Sequence, residues 1–94
     1  MKDNESITDT TEEKLARIAM LLILIEYAKI YKNNAPLNSA EEGAEILQKE
    51  VDTLVAEVYK SHEMRDIKLM LKEATRVGAW SLRFMIDVCL RKEK

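Results

Sequence analysis

The stretch from Thr10 to Lys32, TTEEKLARIAMLLILIEYAKIYK, decides how this chain folds. Thr10 is followed three residues later by Glu13, which is the spacing of a capping box at the start of an α-helix. Behind this start, apolar residues recur at steps of three and four, the period of one helix face. They are Leu15, Ile18, Leu22, Ile25 and Ala28. The sequence therefore predicts a first helix that begins at Thr10 and ends near Lys32.

The middle of this helix is apolar on its other sides as well. The residues that fill the rest of its circumference are Met20, Leu21, Ile23 and Leu24. A helix that is apolar on every side has to be covered on every side. One chain of 94 residues offers few partner helices, so we expect copies of the chain to meet along this segment in a homodimer or homotetramer. The alternative is a central helix that is wrapped by its own chain.

Two further helices follow. The segment 33–36 holds two asparagines and a proline, which end a helix. Ser39 and Glu42 repeat the capping-box spacing, and a second helix extends from there to about Ser61. After a short polar turn, Asp66 is a suitable N-cap for a third helix that ends near Arg91, with Gly78 as the place where it could split or kink. The apolar stripe of the third helix comprises Ile67, Met70, Leu71, Ala74, Val77, Trp80, Phe84 and Val88.

The composition agrees with an all-helical fold. Two glycines and one proline leave few turns, whereas a β-sandwich or barrel needs one about every 8–12 residues. The contents of 47% hydrophobic and 34% charged residues are typical of long amphipathic helices. We therefore expect a three- to four-helix bundle: a single all-α domain over residues 10–94, after a disordered polar lead-in at residues 1–9.

Charge, the length of the apolar runs and the cysteine content bear on nucleic-acid binding, membrane crossing and cellular location. The net charge of −2 provides no positive surface for a nucleic acid. The longest apolar run, from Ile18 to Ile25, is eight residues long, far below the roughly 20 needed to cross a membrane. A lone Cys89 and an acidic N-terminus predict a cytoplasmic protein. We expect Cys89 to lie on an apolar helix face near Trp80 and Met85, where a thiol reagent reaches it slowly.

Most catalytic sites are excluded because their residues are missing. With one histidine, one cysteine and two glycines, the chain has neither a common Cys/His zinc site nor a Gly-rich phosphate loop. Carboxylates remain: Glu50, Glu57 and Glu73 each lie among apolar positions of a predicted helix. Burial of such a carboxylate is costly unless a cation meets it. Each of them therefore either has a cationic partner or keeps its carboxylate in water at the edge of the core.

Basic residues are frequent on the third helix. They are Lys68, Lys72, Arg76 and Arg83. Acidic residues lie near each of them in the sequence, so we expect ion pairs in solvent.

Two stretches carry a resemblance to a known family. They are EGAEILQKEVDTLVAEV at residues 42–58 and KEATRVGAWSLRFMID at residues 72–87. Together they resemble the MazG-like, all-α nucleoside-triphosphate pyrophosphohydrolase superfamily, and most of all its short phage and prokaryotic members. The resemblance implies a helical dimer or tetramer. For active members it implies magnesium-dependent cleavage of nucleoside triphosphates to monophosphate and pyrophosphate.

The same resemblance implies where a site would lie. The family's metal ligands form an EExxE motif on one helix and an ExxD motif on the next. The matching positions here read Lys49-Glu50-x-x-Thr53 and Glu73-x-x-Arg76. Glu50 and Glu73 are thus the remaining candidates for metal ligands and catalytic residues.

Two functions are consistent with this pattern. In one, the chain is a magnesium-dependent nucleotide pyrophosphohydrolase in which Glu57 or Asp52 assists catalysis and Lys72 or Arg76 contacts phosphate. In the other, which we favour because three of the five motif acids are replaced, the chain has lost catalysis, needs no cofactor and is a structural or interaction protein. It would then bind a nucleotide weakly at most.

Arg76 introduces a fixed positive charge where the family has an acid. We expect it to serve as an internal counter-ion for Glu50 and Glu73 in place of a metal ion. Direct contact with Glu73, three residues earlier on the same helix, is expected more readily than a reach across to Glu50.

Overall fold

The computed structural model describes residues 10–91, and every regular element in that range is helical. Three long helices are present: α1 (Thr11–Asn33), α2 (Ala40–Val58) and α3 (Ile67–Phe84). A short 3₁₀ turn at His62–Met64 precedes α3, and a π-helical segment, Met85–Leu90, continues it. The all-α prediction is confirmed. The predicted lead-in at residues 1–9 lies outside the described residues.

The helix starts are those that local sequence chemistry predicts. Thr10 Oγ1 accepts a hydrogen bond from the Glu13 amide at 3.1 Å, and Glu13 Oε1 accepts one from the Thr10 amide at 3.2 Å, so the capping box is complete. Asp66 caps α3 by accepting from two amides of its first turn. At α2 only half of the box forms, because the Glu42 carboxylate accepts from the Asn38 amide instead of the N-cap amide.

Helix α3 is the central element and packs against both α1 and α2. Gly43 at the start of α2 lies beside Phe84 at the end of α3, whereas Glu57 at the end of α2 meets Asp66. These two helices are therefore antiparallel, whereas α1 packs on α3 through contacts that include Ile23 at Gly78 and Asn34 at Arg83. The molecule is 20 Å thin in its smallest dimension, about two helix diameters.

The hydrophobic core is small and lies towards one end of the three-helix arrangement. Its buried members are Ile30, Leu37, Ala79 and Trp80. Partly buried apolar side chains, among them Ile23 and Phe84, pack around them.

Gly78 allows a close approach between helices and does not kink α3. A Cβ atom at this position would lie 2.7 Å from Ile23 Cδ1, so α1 sits directly on the glycine. Helix α3 continues without a break to Phe84, and the change of winding comes only at Met85. The prediction of a split or kink at Gly78 is therefore wrong.

The first half of α1 is largely exposed within the described chain. Residues 11–21 are all exposed. The large apolar side chains of this helix that are about half-exposed or more are Leu15, Ile18, Met20, Leu21, Leu24, Ile25 and Tyr31. The alternative of a central α1 wrapped by its own chain is thus wrong within the described residues, because α3 occupies the centre.

Within residues 10–91, no helix combines the length and apolar character that crossing a lipid bilayer requires.

Candidate functional site

Arg76 lies at the point where all three helices meet. Its Nε and Nη2 donate to the two carboxylate oxygens of Glu50 on α2, each at 3.0 Å. Its Nη1 donates to Glu26 Oε2 on α1 at 3.1 Å. The side chains are 34% exposed for Arg76, 16% for Glu50 and 19% for Glu26. One guanidinium therefore joins carboxylates from both neighbouring helices in a partly buried cluster, which we call the Arg76 cluster.

The surroundings of Arg76 keep it charged. The hydrogen bonds to Glu50 raise the pKa of the Arg76 guanidinium above its ordinary value, partial burial opposes this, and the charges of Glu50, Glu26 and Glu73 raise it further. Arg76 is therefore a permanent cation at this position.

Arg76 reaches across to Glu50, so the expectation of a preferred contact with Glu73 is wrong. Glu73 acts on Arg76 through its charge alone. The bidentate pair with Glu50 has better geometry than a contact three residues back on the same helix.

Glu26 is a member of this cluster that sequence reasoning missed. A signal for it was present, because Glu26 is the only charged residue between Arg17 and Lys29. A single carboxylate within an apolar helix requires a cation, by the same reasoning that was applied to Glu50.

The residues present do not fit a magnesium ion. Both oxygens of Glu50 are bound by Arg76, and the Thr53 hydroxyl donates to the Lys49 carbonyl oxygen at 3.0 Å. Within the described part of the chain, no group of three or more histidine, cysteine, aspartate or glutamate side chains is placed to hold a metal. Magnesium binds to proteins through one or two carboxylates together with waters, and both carboxylate oxygens of Glu50 already accept hydrogen bonds from Arg76.

Glu57 and Asp52 lie away from the Arg76 cluster. Glu57 is buried, accepts from the Asp66 amide at 3.1 Å and pairs with Lys60 at 2.8 Å, so it ties the end of α2 to the start of α3. It is seven residues from Glu50, about 10 Å along the helix axis. Asp52 is exposed and accepts from Gln48.

Lys72 lies in a groove of about 230 Å³ between α1 and α3, which we call the α1/α3 groove. Its apolar lining is Leu22, Ile25 and Leu71, and its polar lining is Glu26, Lys29, Lys68, Lys72 and Thr75. Arg76 lines a different cleft, beside Trp80. The structure therefore separates the two residues that were predicted to contact phosphate, although Glu26 and Lys29 line both spaces.

A second arginine cluster, the Arg83 cluster, lies two turns further along α3. Arg83 is 1% exposed, and its Nε donates to Asp87 Oδ2 at 2.6 Å. Its Nη2 donates to the Asn34 carbonyl oxygen at 3.3 Å, and the guanidinium lies 5.5 Å from the centre of the Tyr31 ring. The Leu37 amide completes the cluster by donating to Asp87 at 2.9 Å. The expectation of a solvated ion pair is wrong here, because the segment between α1 and α2 folds over this pair.

The environment of Asp87 favours its charged form. Burial raises the pKa of Asp87, but the hydrogen bonds from Arg83 and the Leu37 amide, with the charges of Arg83 and Arg91, outweigh burial. The pKa of this carboxyl group is consequently lower than its ordinary value.

Cys89 is exposed, so the prediction that it lies inside on an apolar helix face is wrong. The π-helical winding of Met85–Leu90 changes the register after Phe84. Met85, four residues before Cys89, is exposed as well, so this face of the segment is open to solvent.

No protein-family model, curated protein or solved structure matches this sequence.

Proposed function

We propose that this chain is a helical interaction protein: a relative of the MazG-like superfamily that has lost catalysis and assembles as a homodimer or homotetramer. The observation that supports the loss of catalysis is the pairing of both Glu50 oxygens with Arg76. A position that carries a metal ligand in the family carries here the partner of an internal cation.

A magnesium ion at this place would have to displace a guanidinium that makes three hydrogen bonds. If the guanidinium stayed, its repulsion of a dication about 4 Å away would amount to about 8 kcal/mol at an effective dielectric of about 20. Displacement of the guanidinium and repulsion by it both weaken metal binding. The positive charge of Arg76 persists at any ordinary pH.

The exposed half of α1 supports the second part of the proposal, which is assembly. Residues 11–21 form three turns of helix that are exposed within the described chain. A helix of that length is marginal in water when it stands alone. Burial of its apolar side chains against a partner would supply the missing stabilisation.

Calorimetric titration with magnesium, in the presence and absence of a panel of nucleoside triphosphates, tests the loss of catalysis. We expect no saturable heat from magnesium and no release of pyrophosphate. Saturable binding that Glu50→Gln abolishes, together with pyrophosphate release, would overturn the proposal. Glu45→Gln, an exposed change on the same helix, is the matched control.

Sedimentation at micromolar concentration tests the proposed assembly. A stable monomer would overturn the proposal of a homodimer or homotetramer.

The α1/α3 groove favours a second candidate function, that of a magnesium-dependent pyrophosphohydrolase. Lys29, Lys68 and Lys72 line it and would suit a polyphosphate. The same titration distinguishes the two functions. Nucleotide binding that depends on both magnesium and Lys72 would support the enzyme.

A further inference from the structure

We infer that the exposed first half of α1, residues 11–21, lies antiparallel in the α1/α3 groove of a second copy of this chain. The inference rests on the proposed self-assembly and specifies its geometry. We call residues 11–21 the α1 arm. In a two-fold dimer each copy contributes one arm and one groove, so the contact closes on itself and leaves neither arm free.

The arm and the groove share one continuous apolar stripe. Leu15 and Ile18 on the arm are 57% and 55% exposed. Leu22 and Ile25 continue the stripe into the groove, with successive steps of three, four and three residues. Leu71 of α3, also half-exposed, widens the apolar floor.

This spacing fits an antiparallel copy of itself. With the two-fold axis at residue 20, Leu15 of one helix lies opposite Ile25 of the other, and Ile18 lies opposite Leu22. These are the alternating layers of an antiparallel coiled-coil pair, and every layer is apolar. Stripe and groove lie on the same side of α1, so the arm can enter the groove without a change in the helix.

Charge sets the direction of the arm. Its first turn carries Glu12 and Glu13. In the antiparallel register this turn lies at the end of the groove where Lys29 is, with Lys68 and Lys72 on the facing helix. A parallel register would place the two acidic turns side by side and leave the lysines without acidic partners. Complementary charge around an apolar contact determines which orientation forms.

A cross-linking experiment tests the register. In a Cys89→Ser background, which removes the exposed native thiol, Leu15→Cys and Ile25→Cys are made as separate proteins. We expect a disulfide-linked dimer when the two are mixed and oxidised, and almost none from Leu15→Cys alone. Met20→Cys, on the opposite side of α1, is the control that should not cross-link.

The possible outcomes distinguish a failure of the antiparallel register from a failure of the proposed self-assembly. A monomeric Cys89→Ser parent in sedimentation would overturn both. A dimer in which Leu15→Cys links to itself, or in which Met20→Cys links as well as the mixture, would overturn the antiparallel register and leave self-assembly standing. Circular dichroism of each variant verifies that its helices are intact.

Charge reversal provides a second test that introduces no thiol. Glu12→Lys, and separately Lys68→Glu with Lys72→Glu, should each weaken the dimer about tenfold. Mixing the two reversed proteins should restore association. Dimer constants unchanged from those of a Glu45→Lys control would overturn the inference.

Discussion

Two arginines on α3, seven residues apart, are paired with carboxylates in different ways. Arg83 is fully buried and pairs with Asp87 on its own helix while it also holds the main chain at Asn34. Arg76 is one-third exposed and pairs with Glu50 and Glu26, which belong to two other helices.

The difference shows that burial, more than the number of hydrogen bonds, decides what such a cluster does. The Arg83 cluster lies against the core beside the segment that joins α1 to α2, where an unpaired charge has no access to water. The Arg76 cluster lies between the clefts that flank α1, where water can replace a lost partner. We therefore expect the first cluster to determine stability and the second to determine which ions the protein binds.

Asp87→Ala should give the largest loss of stability. It leaves the Arg83 guanidinium buried without its carboxylate, and one of its nitrogens, Nη1, already lacks a partner within the described residues. Removal of one member of a buried pair costs about 3–5 kcal/mol. Chemical denaturation measures this, with exposed Asp52→Ala as the control that should change little. A loss no greater than the control's would mean that water enters the Arg83 cluster.

Arg76→Ala should cost less, about 2 kcal/mol. Its cluster lies between a surface pair, worth below about 1 kcal/mol, and a fully buried one. Lys72→Ala, one turn earlier on the same helix and exposed, is the matched control in the same denaturation series. If Arg76→Ala proved as costly as Asp87→Ala, the contrast between the two clusters would fail.

The pH dependence of stability should report the contribution of Asp87 to the Arg83 cluster. Since the pKa of Asp87 is lowered on folding, its contribution is complete above the ordinary aspartate value of about 3.9 and declines as the pH falls through the lower folded value. The stability difference between the wild type and Asp87→Asn should therefore be constant near neutrality and shrink in acid. Urea unfolding of both proteins from pH 7 to acid measures it. A difference that grew in acid would reverse the sign assigned here.

Local features of the fold could be read from the sequence, and contacts between distant residues could not. Thr10 with Glu13, and Asp66, marked helix starts because a cap is completed within four residues. A counter-ion role of Arg76 towards Glu50 and Glu73 was predicted from a family motif that places two helices face to face, although the direct contact was expected with Glu73 and lies with Glu50.

Glu26, Arg83 and Cys89 show which features could not be predicted from the sequence. Whether Glu26 or Glu73 meets Arg76 depends on how α1 lies across α3, which no local pattern determines. Arg83 is buried only because the segment after α1 folds over it. Cys89 lies on a helix face that is open to solvent at Met85 as well, although both residues are apolar in character.

Whether Arg76 holds the place of a metal ion is tested most directly by the melting temperature as a function of magnesium at constant ionic strength. The wild type and Lys72→Ala should show no change up to millimolar magnesium. Thr53→Glu combined with Arg76→Asp should show a saturable rise, because this variant has no guanidinium bound to Glu50 and carries acids at two positions where the family motif has them. A saturable rise in the wild type that disappears in Glu50→Gln would contradict this assignment and return the metal ion to the site.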